Sequence, residues 1–306
     1  MTDVSPLVTV NILSYNRKDD LRISLQHIAI QEYKNIEIVV VDNNSSDGTV
    51  EMVRAEFPEV QLIVLQKNIG IAGWNEGFRI AKGKYVLVLD DDSYPHFSAI
   101  EKIVRIAEHQ PNCAIVACRI QSSHGISERS TWKNKDIVNN FVGCGALIRR
   151  AIFKHTGMFS DLLFLYYHEL EFSMRVLNAG SLILYAEDAI VTHEGSRSNR
   201  FLERNTKYDV RKLYFDSRNR IIILFFYFDL FPAVSRFFRI LIGLCLFGLR
   251  TGVIVPIFKG MRDGFSVLWQ HWGTRKPLTK NVQKIYGFGG VLGGIFFADK
   301  NYGKLL

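Results

Sequence analysis

Nothing in the 306 residues reads as a disulfide framework, since the four cysteines, Cys113, Cys118, Cys144 and Cys245, form no CxxC pair. No signal-peptide pattern precedes the first apolar strand, so a reduced cytosolic setting is expected. No G-x-x-x-x-G-K-[ST] segment occurs, which argues against a P-loop kinase or ATPase. The first strand-to-helix turn reads Ser14-Tyr15-Asn16-Arg17, where a dinucleotide site would want G-x-G-x-x-G, and this argues against nicotinamide redox chemistry. An uninterrupted membrane span is missing too. Segment 221–231 is too short, and the longer stretch Phe237–Phe258 is broken by Arg239, Arg250, Pro256 and three glycines.

What is present is an ordinary core-forming composition, 48% apolar and 22% charged, which excludes a disordered chain. The length suits one large α/β domain with an appendage. The net charge of +8 is unevenly placed. Residues 1–196 hold 19 Lys and Arg against 24 Asp and Glu, whereas residues 197–306 hold 19 against 6. The basic part is also the apolar part, with Ile221–Phe228 as an example. That pairing points to an anionic membrane surface and not to nucleic acid. Amphipathic helices lying in the interface are expected over 220–306. The plainer alternative is a helical subdomain that packs on the main domain or on a second copy of the chain, giving a homo-oligomer.

The first 120 residues alternate strands and helices. Apolar strands are expected at Val8–Ser14, Ile36–Val41, Val60–Leu65, Tyr85–Leu89 and Cys113–Ile120. Helices are expected from Leu21 toward Gln31 (capped by Asp19 or Asp20), from Asp47 to Phe57, over Gly73–Ala81 and over Phe97–Gln110. Strands rich in Val and Ile without alternation are buried on both faces. The pattern therefore gives an α/β fold, a mostly parallel sheet with helices on both sides. Ligands in such sheets bind beyond the carboxyl ends of the strands. Carboxylates and amides collect there: Ser14-Tyr15-Asn16-Arg17, Asp42-Asn43-Asn44, Asn68-Ile69-Gly70 and Asp90-Asp91-Asp92. Three adjacent carboxylates repel unless a cation relieves them, and a hard divalent ion such as Mg²⁺ or Mn²⁺ suits oxygen ligands of this kind.

The ordered set Val10–Arg17, Val41–Thr49, Asn68–Gly77 and Gly83–Asp92 resembles the nucleotide-sugar half of a family 2 glycosyltransferase with the GT-A fold. The resemblance implies that Asp42 hydrogen-bonds the base and Tyr15 flanks it. It implies that Asp90-Asp91-Asp92 is the family's DXD motif, with Asp90 and Asp92 toward metal and diphosphate. Ser14, Arg17, Asn44, Asn68, Asn75 and Asp91 complete the expected donor site. Gly143–Arg150 resembles the start of the acceptor side. Phe164–Arg175 is similar to the family's acidic catalytic segment, with His168-Glu169 where Glu-Asp is usual. Glu169 is the expected base, with Glu171 at the later acidic position as the alternative. His193 matches a histidine that supplements the metal site, and Arg218 in Arg218-Asn219-Arg220 is expected to pair with the diphosphate.

The expected organisation is a catalytic domain over 1–219 (donor half 1–120, acceptor half 121–219) followed by a membrane-associating region over 220–306. Acceptor contacts are expected in loops such as Gln121–Lys135. The expected reaction is inverting, metal-dependent transfer from a UDP- or dTDP-sugar to a glycan or lipid-linked acceptor, by a peripheral enzyme at the cytoplasmic membrane face. The alternative is a non-catalytic, membrane-bound sugar-nucleotide-binding scaffold with the same fold.

Overall fold

Val8, Val10 and Ile12 on one face of the first strand are fully buried, and so are Thr9 and Asn11 on the other. A strand closed off on both sides belongs inside a sheet that helices cover. The structure is a computed structural model that describes residues 5–122, 136–195 and 210–286. Most of the loop expected to contact the acceptor therefore lies outside the described residues.

The chain forms two compact units, one of residues 1–164 with 179–197 and another of 165–178 with 198–306. The first holds an eight-stranded mixed sheet in the order β3-β2-β1-β4-β7-β6-β8-β5. Its strands are β1 (Val8–Ser14), β2 (Ile36–Asp42), β3 (Gln61–Val64), β4 (Tyr85–Asp90), β5 (Ser93–Pro95), β6 (Cys113–Ser122), β7 (Ala146–Arg149) and β8 (Leu182–His193). Strands β3, β2, β1 and β4 run parallel. Strand β7 is antiparallel to β4 and β6, β8 is parallel to β6, and β5 closes the edge antiparallel to β8. Around the sheet lie α1 (Lys18–Ala29), α2 (Thr49–Glu56), α3 (Trp74–Ile80), α4 (Ala99–His109) and the single turn α5 (Phe153–Thr156). Leu21, Leu25 and Ile28 recur on one face of α1 and are buried there, as an amphipathic helix requires.

Asp19 and Asp20 do not cap α1. The helix begins at Lys18, and both aspartates sit inside its first turn. Asp47 takes that work from the neighbouring loop: its Oδ2 accepts the Lys18 N–H (2.9 Å) and its Oδ1 accepts the Thr49 N–H (3.1 Å). One carboxylate thus satisfies orphan donors at the starts of both α1 and α2.

The second unit holds α6 (His168–Asn178), α7 (Val210–Tyr227), α8 (Leu230–Thr251), α9 (Ile254–His271) and α10 (Lys280–Ile285). Helix α7 is continuous through Asn219 and Arg220, so no helix end marks a boundary there. Helix α9 packs closely on α7 because Gly260 and Gly264 lack side chains. A Cβ on Gly260 would lie 2.3 Å from the Tyr214 carbonyl oxygen, and one on Gly264 would lie 2.8 Å from that of Arg218. Tyr214 also donates from its hydroxyl to Asp263 (2.8 Å).

The expected apolar stretch Phe237–Phe258 is not one helix. Gly252 adopts a left-handed conformation (φ +74°) and ends α8, which is the usual glycine stop. Pro256 falls in the first turn of α9, where the missing N–H costs little. Helix α8 instead extends back to Leu230, which places Arg250 beside its end and not at its middle. Among the described residues it is the one helix long and apolar enough to cross a membrane by length and composition. Little of it is covered, and Phe231 is 87% and Leu249 72% exposed.

The packing of α3 on β1 gives a direct test of the first unit. A Cβ on Gly77 would sit 2.1 Å from Asn11 Oδ1, and Asn11 is buried and donates to the Trp74 carbonyl (3.0 Å). Gly77→Ala is expected to destabilise the chain by about 1–3 kcal/mol, the usual range for overpacking. Urea denaturation of the full chain checks this through the shift in midpoint.

Candidate active site

Strand register levels the functional residues. Ser14 of β1 pairs with Asp42 of β2, and Leu13 pairs with Asp90 of β4. The carboxyl ends of three adjacent parallel strands therefore stop at one height. At the far edge, Ser93 of β5 pairs with His193 of β8, which delivers the histidine to the turn that follows β4.

That turn is fixed through its backbone. The Ser93 hydroxyl accepts the Asp90 N–H (2.9 Å) and donates to the Asp90 carbonyl (3.0 Å). Ser24 of α1 donates to the Asp91 carbonyl (2.8 Å), and the Glu194 N–H donates to that of Asp92 (2.9 Å). The side chains then diverge. Arg17 Nη1 lies 3.0 Å from both Asp91 Oδ1 and Asp92 Oδ2, and the Tyr15 N–H donates to Asp91 Oδ2 (3.1 Å). His193 Nε2 lies 3.2 Å from Asp92 Oδ1 and 3.9 Å from Asp90 Oδ2.

The electrostatics show crowding of negative charge. Desolvation, and then the Asp92 charge, push Asp90 up to about 7 against the pull of His193. Desolvation likewise pushes Asp91 up to about 6, although Arg17 opposes it. Burial disfavours the Arg17 charge, yet the three aspartates together hold the guanidinium above its ordinary value. One arginine against three carboxylates leaves an excess of negative charge that a divalent cation would relieve. The separations of 3.2 and 3.9 Å fall between those of neighbouring and opposite ligands on one ion with bonds of about 2.0–2.1 Å. Asp90 and Asp92 each therefore stand at a distance from His193 that suits shared ligation of a divalent metal.

Beside the aspartates, the loops that follow β1 and β2 are laced together. Asn16 (φ +52°) and Asn44 (φ +69°) both adopt left-handed turns. The Ser46 N–H donates to Asn16 Oδ1 (2.8 Å), and the Asn16 N–H donates to the Ser45 hydroxyl (2.9 Å). Tyr15 stays 43% exposed, with its ring available for stacking. Asp42 is buried, and its Oδ2 accepts the Ser45 N–H (2.9 Å). Its Oδ1 and the Ser14 hydroxyl, on residues paired in register, are buried with no hydrogen-bond partner among the described residues. Buried polar atoms left this way call for a ligand.

Two expected donor residues are occupied in shaping the backbone. Asn68 Oδ1 accepts the Gly70 N–H (2.8 Å). Asn75 uses both ends of its amide on Phe159, donating to its carbonyl (2.9 Å) and accepting its N–H (3.1 Å). Asn43, which the sequence places after β2 without assigning it a role, does the same for the 68–70 turn, accepting from Ile69 (2.9 Å) and donating to Gly70 (3.0 Å). Only glycine fits at 70, where φ is +65° and a Cβ would lie 1.9 Å from the Phe164 carbonyl oxygen.

Glu169, Glu171 and Arg218 lie in the second unit. The Arg175 guanidinium grips Glu171 with two bonds, Nε to Oε1 (2.7 Å) and Nη2 to Oε2 (2.6 Å), and Tyr227 donates to Oε1 as well. Glu171 is thereby sealed into the helix packing. Glu169 is partly open, with Oε2 3.2 Å from His168 Nδ1. Burial lowers the pKa of His168 even though Glu169 and Glu171 favour its charge.

The turn leading into α6 is strained, since Tyr166 (φ +66°) and Tyr167 (φ +67°) are consecutive left-handed residues with bulky side chains. Asn219 holds it by donating to the carbonyls of Leu165 (2.7 Å) and Tyr166 (3.2 Å). Asp216 accepts from the Tyr167 hydroxyl, and Arg220 Nε bonds that hydroxyl (3.0 Å). Arg218 donates to Asn219 Oδ1 (2.8 Å). Its neighbour Asn219, buried and one position along, is the residue that sequence reasoning missed.

The known proteins similar to this chain can now be set beside the site. An uncharacterized glycosyltransferase of Rickettsia typhi is 28% identical over 67% of this chain and 70% of its own length. An Escherichia coli UDP-Glc:alpha-D-GlcNAc-diphosphoundecaprenol beta-1,3-glucosyltransferase is 34% identical over 32% of this chain and 43% of its own. Among solved structures, a Pyrobaculum calidifontis mannosyltransferase in complex with GDP-Man and Mn²⁺ matches at a TM-score of 0.55 and 15% identity, covering 90% of this chain and 77% of that one. S. aureus TarS 1–349 in complex with UDP-GlcNAc matches at 0.55 and 18%, covering 71% and 66%.

The fold is thus of the GT-A type, and the protein is a glycosyltransferase. The model of glycosyl transferase family 2 matches residues 9–170, and the chain belongs to that family.

The strained turn yields a test. Asn219→Ala is expected to lower the transfer rate by about 10- to 100-fold, the size of loss that a small misplacement near a catalytic group causes. Donor affinity should stay within about twofold of the parent, because the amide of Asn219 is bonded to Leu165, Tyr166 and Arg218. Steady-state kinetics together with calorimetric donor binding separate the two.

Proposed function

We propose that this family 2 enzyme is an inverting, metal-dependent transferase that moves a sugar from a pyrimidine sugar nucleotide to a glycan or lipid-linked acceptor at a membrane surface. The observation that carries the reading is the meeting of Asp90-Asp91-Asp92, Arg17 and His193 at the carboxyl end of β4, level with the orphaned Ser14 and Asp42 atoms. Asp42 Oδ1 accepts the N3–H of uracil or thymine, and Tyr15 stacks on the ring. Arg17 keeps the carboxylates in place between Tyr15 and the diphosphate. Asp90, Asp92 and His193 would hold Mg²⁺ or Mn²⁺, which when bound neutralises charge on the departing diphosphate. The structural relatives in complex with Mn²⁺ or with UDP-GlcNAc support this part of the reading.

Glu169 is the general base that takes the proton of the acceptor hydroxyl. Glu171, gripped by Arg175 and Tyr227, is in no position to do so. One base without a nucleophile gives direct displacement, hence inversion. Glu169→Gln is expected to retain donor binding and to lose about 10²–10⁴-fold in rate. Asp42→Ala is expected to weaken donor binding by about 1.5–3 kcal/mol, one charged hydrogen bond, with little change in the rate at saturation. Product release assays with a panel of sugar nucleotides check both, and a wild-type rate in Glu169→Gln would remove the base assignment.

The membrane part of the proposal rests on α8, apolar and largely uncovered, in a segment rich in Lys and Arg. The Escherichia coli relative, named for a diphosphoundecaprenol-linked substrate, supports a lipid-linked acceptor. Binding of the full chain to anionic liposomes should weaken in high salt without vanishing, because screening leaves the apolar contact intact. Release by alkaline carbonate fits a helix lying in the interface, and resistance to it means that α8 spans. Absence of liposome binding in a chain that sediments as a dimer would mean that α8 is an interface between copies.

A further inference from the structure

Beside the aspartates stands a side chain of different chemistry. The turn before β7 closes when the Gly145 N–H donates to the Val142 carbonyl (3.1 Å), and the Gly145 carbonyl accepts from the Cys118 N–H (2.9 Å). Glycine is required at 145. A Cβ there would lie 2.6 Å from Ile120 Cδ1 of β6 and 3.1 Å from Val191 Cγ2 of β8. That close approach carries the preceding residue, Cys144, to the end of β8, where His193 lies two residues beyond Val191. Ligand atoms of Asp90, Cys144 and His193 all fall within 4.8 Å of one another. Cys144 is the buried member of the three, while Asp90 and His193 are partly open.

A span of that size closes onto one ion with a small inward movement of the side chains. Ligands at about 2.0–2.3 Å from a shared ion stand at most about 4.6 Å apart. Carboxylate oxygen alone favours Mg²⁺ or Mn²⁺, whereas thiolate and imidazole favour borderline and softer ions. Asp92 Oδ1 lies 3.2 Å from the same His193 Nε2 that faces Asp90, so it remains an oxygen ligand available to the same ion.

We propose that Cys144 makes this a mixed hard and soft cation site, in which its thiolate, the Asp90 carboxylate and the His193 imidazole together bind Zn²⁺, Co²⁺ or Cd²⁺ more tightly than Mg²⁺ or Mn²⁺. The proposal rests on the assignment of Asp90 and His193 as cation ligands made above. On binding, the Cys144 S–H bond breaks, the sulfur–metal bond forms, and the proton leaves to solvent. The site accepts Mn²⁺ through its oxygen and nitrogen ligands without the thiolate, so one pocket discriminates ions by whether the sulfur is engaged.

Cobalt reports directly on sulfur ligation. Co²⁺ titrated into the full-length chain under reducing conditions should produce a thiolate-to-metal charge-transfer band in the near ultraviolet, and Zn²⁺ should abolish it by competition. In Cys144→Ser the band should be lost. Its affinity for Zn²⁺ should fall by more than the roughly 10–100-fold that loss of an outer partner costs. Its affinity for Mn²⁺, read by equilibrium dialysis, should stay within about twofold. Because serine at a buried position could impair folding, Cys144→Ala and the wild-type measurement itself carry the same test. If wild-type chain binds Mn²⁺ but shows no charge-transfer band with Co²⁺, the thiol is not a ligand and the proposal fails while the metal reading stands. If neither ion binds, both fail. A band that persists in both variants belongs to another cysteine and also overturns the proposal.

Discussion

Arg17 is the counter-charge on which the carboxyl end of the sheet depends. It leaves β1 at the first strand-to-helix turn and reaches two consecutive aspartates at the end of β4. Side chains of Asp91 and Asp92 are almost wholly out of water, and removing one partner of such a cluster leaves a buried charge uncompensated. The arrangement is possible because β1 lies between β2 and β4 in level register. The first loop is therefore adjacent to both the Asp42 loop and the Asp90 turn. The three loops share a single scaffold, and the backbone N–H of Tyr15 is bonded to Asp91 itself.

The same logic of tying loops through polar side chains recurs across the chain. Asp47 serves two helix starts, Asn43 and Asn68 hold one turn, Asn75 clamps Phe159, and Asn219 holds the strained entry to α6. Asparagine suits this use because one amide both donates and accepts, and can replace the missing partners of an irregular backbone segment. Several residues that look like ligand contacts in a sequence are in this sense substitutes for secondary structure.

The central strands were legible because apolar runs buried on both faces have few other uses, and the polar residues after each strand marked the site. Less legible was any feature produced by residues distant in sequence. The antiparallel β7 pairs with β4 across about 60 residues and the edge strand β5 with β8 across about 100, which no local pattern encodes. In the tail the sequence showed that Phe237–Phe258 is interrupted but not where: hydropathy alone does not say which glycine stops a helix, and it is Gly252 that ends α8. Asp19 and Asp20 looked like caps because aspartate favours that position, but a carboxylate from another loop supplied the bonds. The approach of Cys144 to Asp90 and His193 is not legible in the sequence, where a cysteine in a glycine-flanked turn reads as packing.

The discontinuity of the second unit changes what the C-terminal region can be. Residues 165–178 leave the first unit and return to it before β8, and within the second unit they are bonded to α7, at Asn219 and at Tyr227, and near α10, where the Thr279 N–H donates to Asn178 (2.7 Å). The polypeptide that carries Glu169 is thus completed by sequence laid down later. A ribosome would have to release the chain to nearly its full described length before that segment found its partners. The tail is not an exchangeable anchor fused to a finished enzyme. A lineage that replaced it would have to rebuild the packing of the helix that carries Glu169 and Glu171.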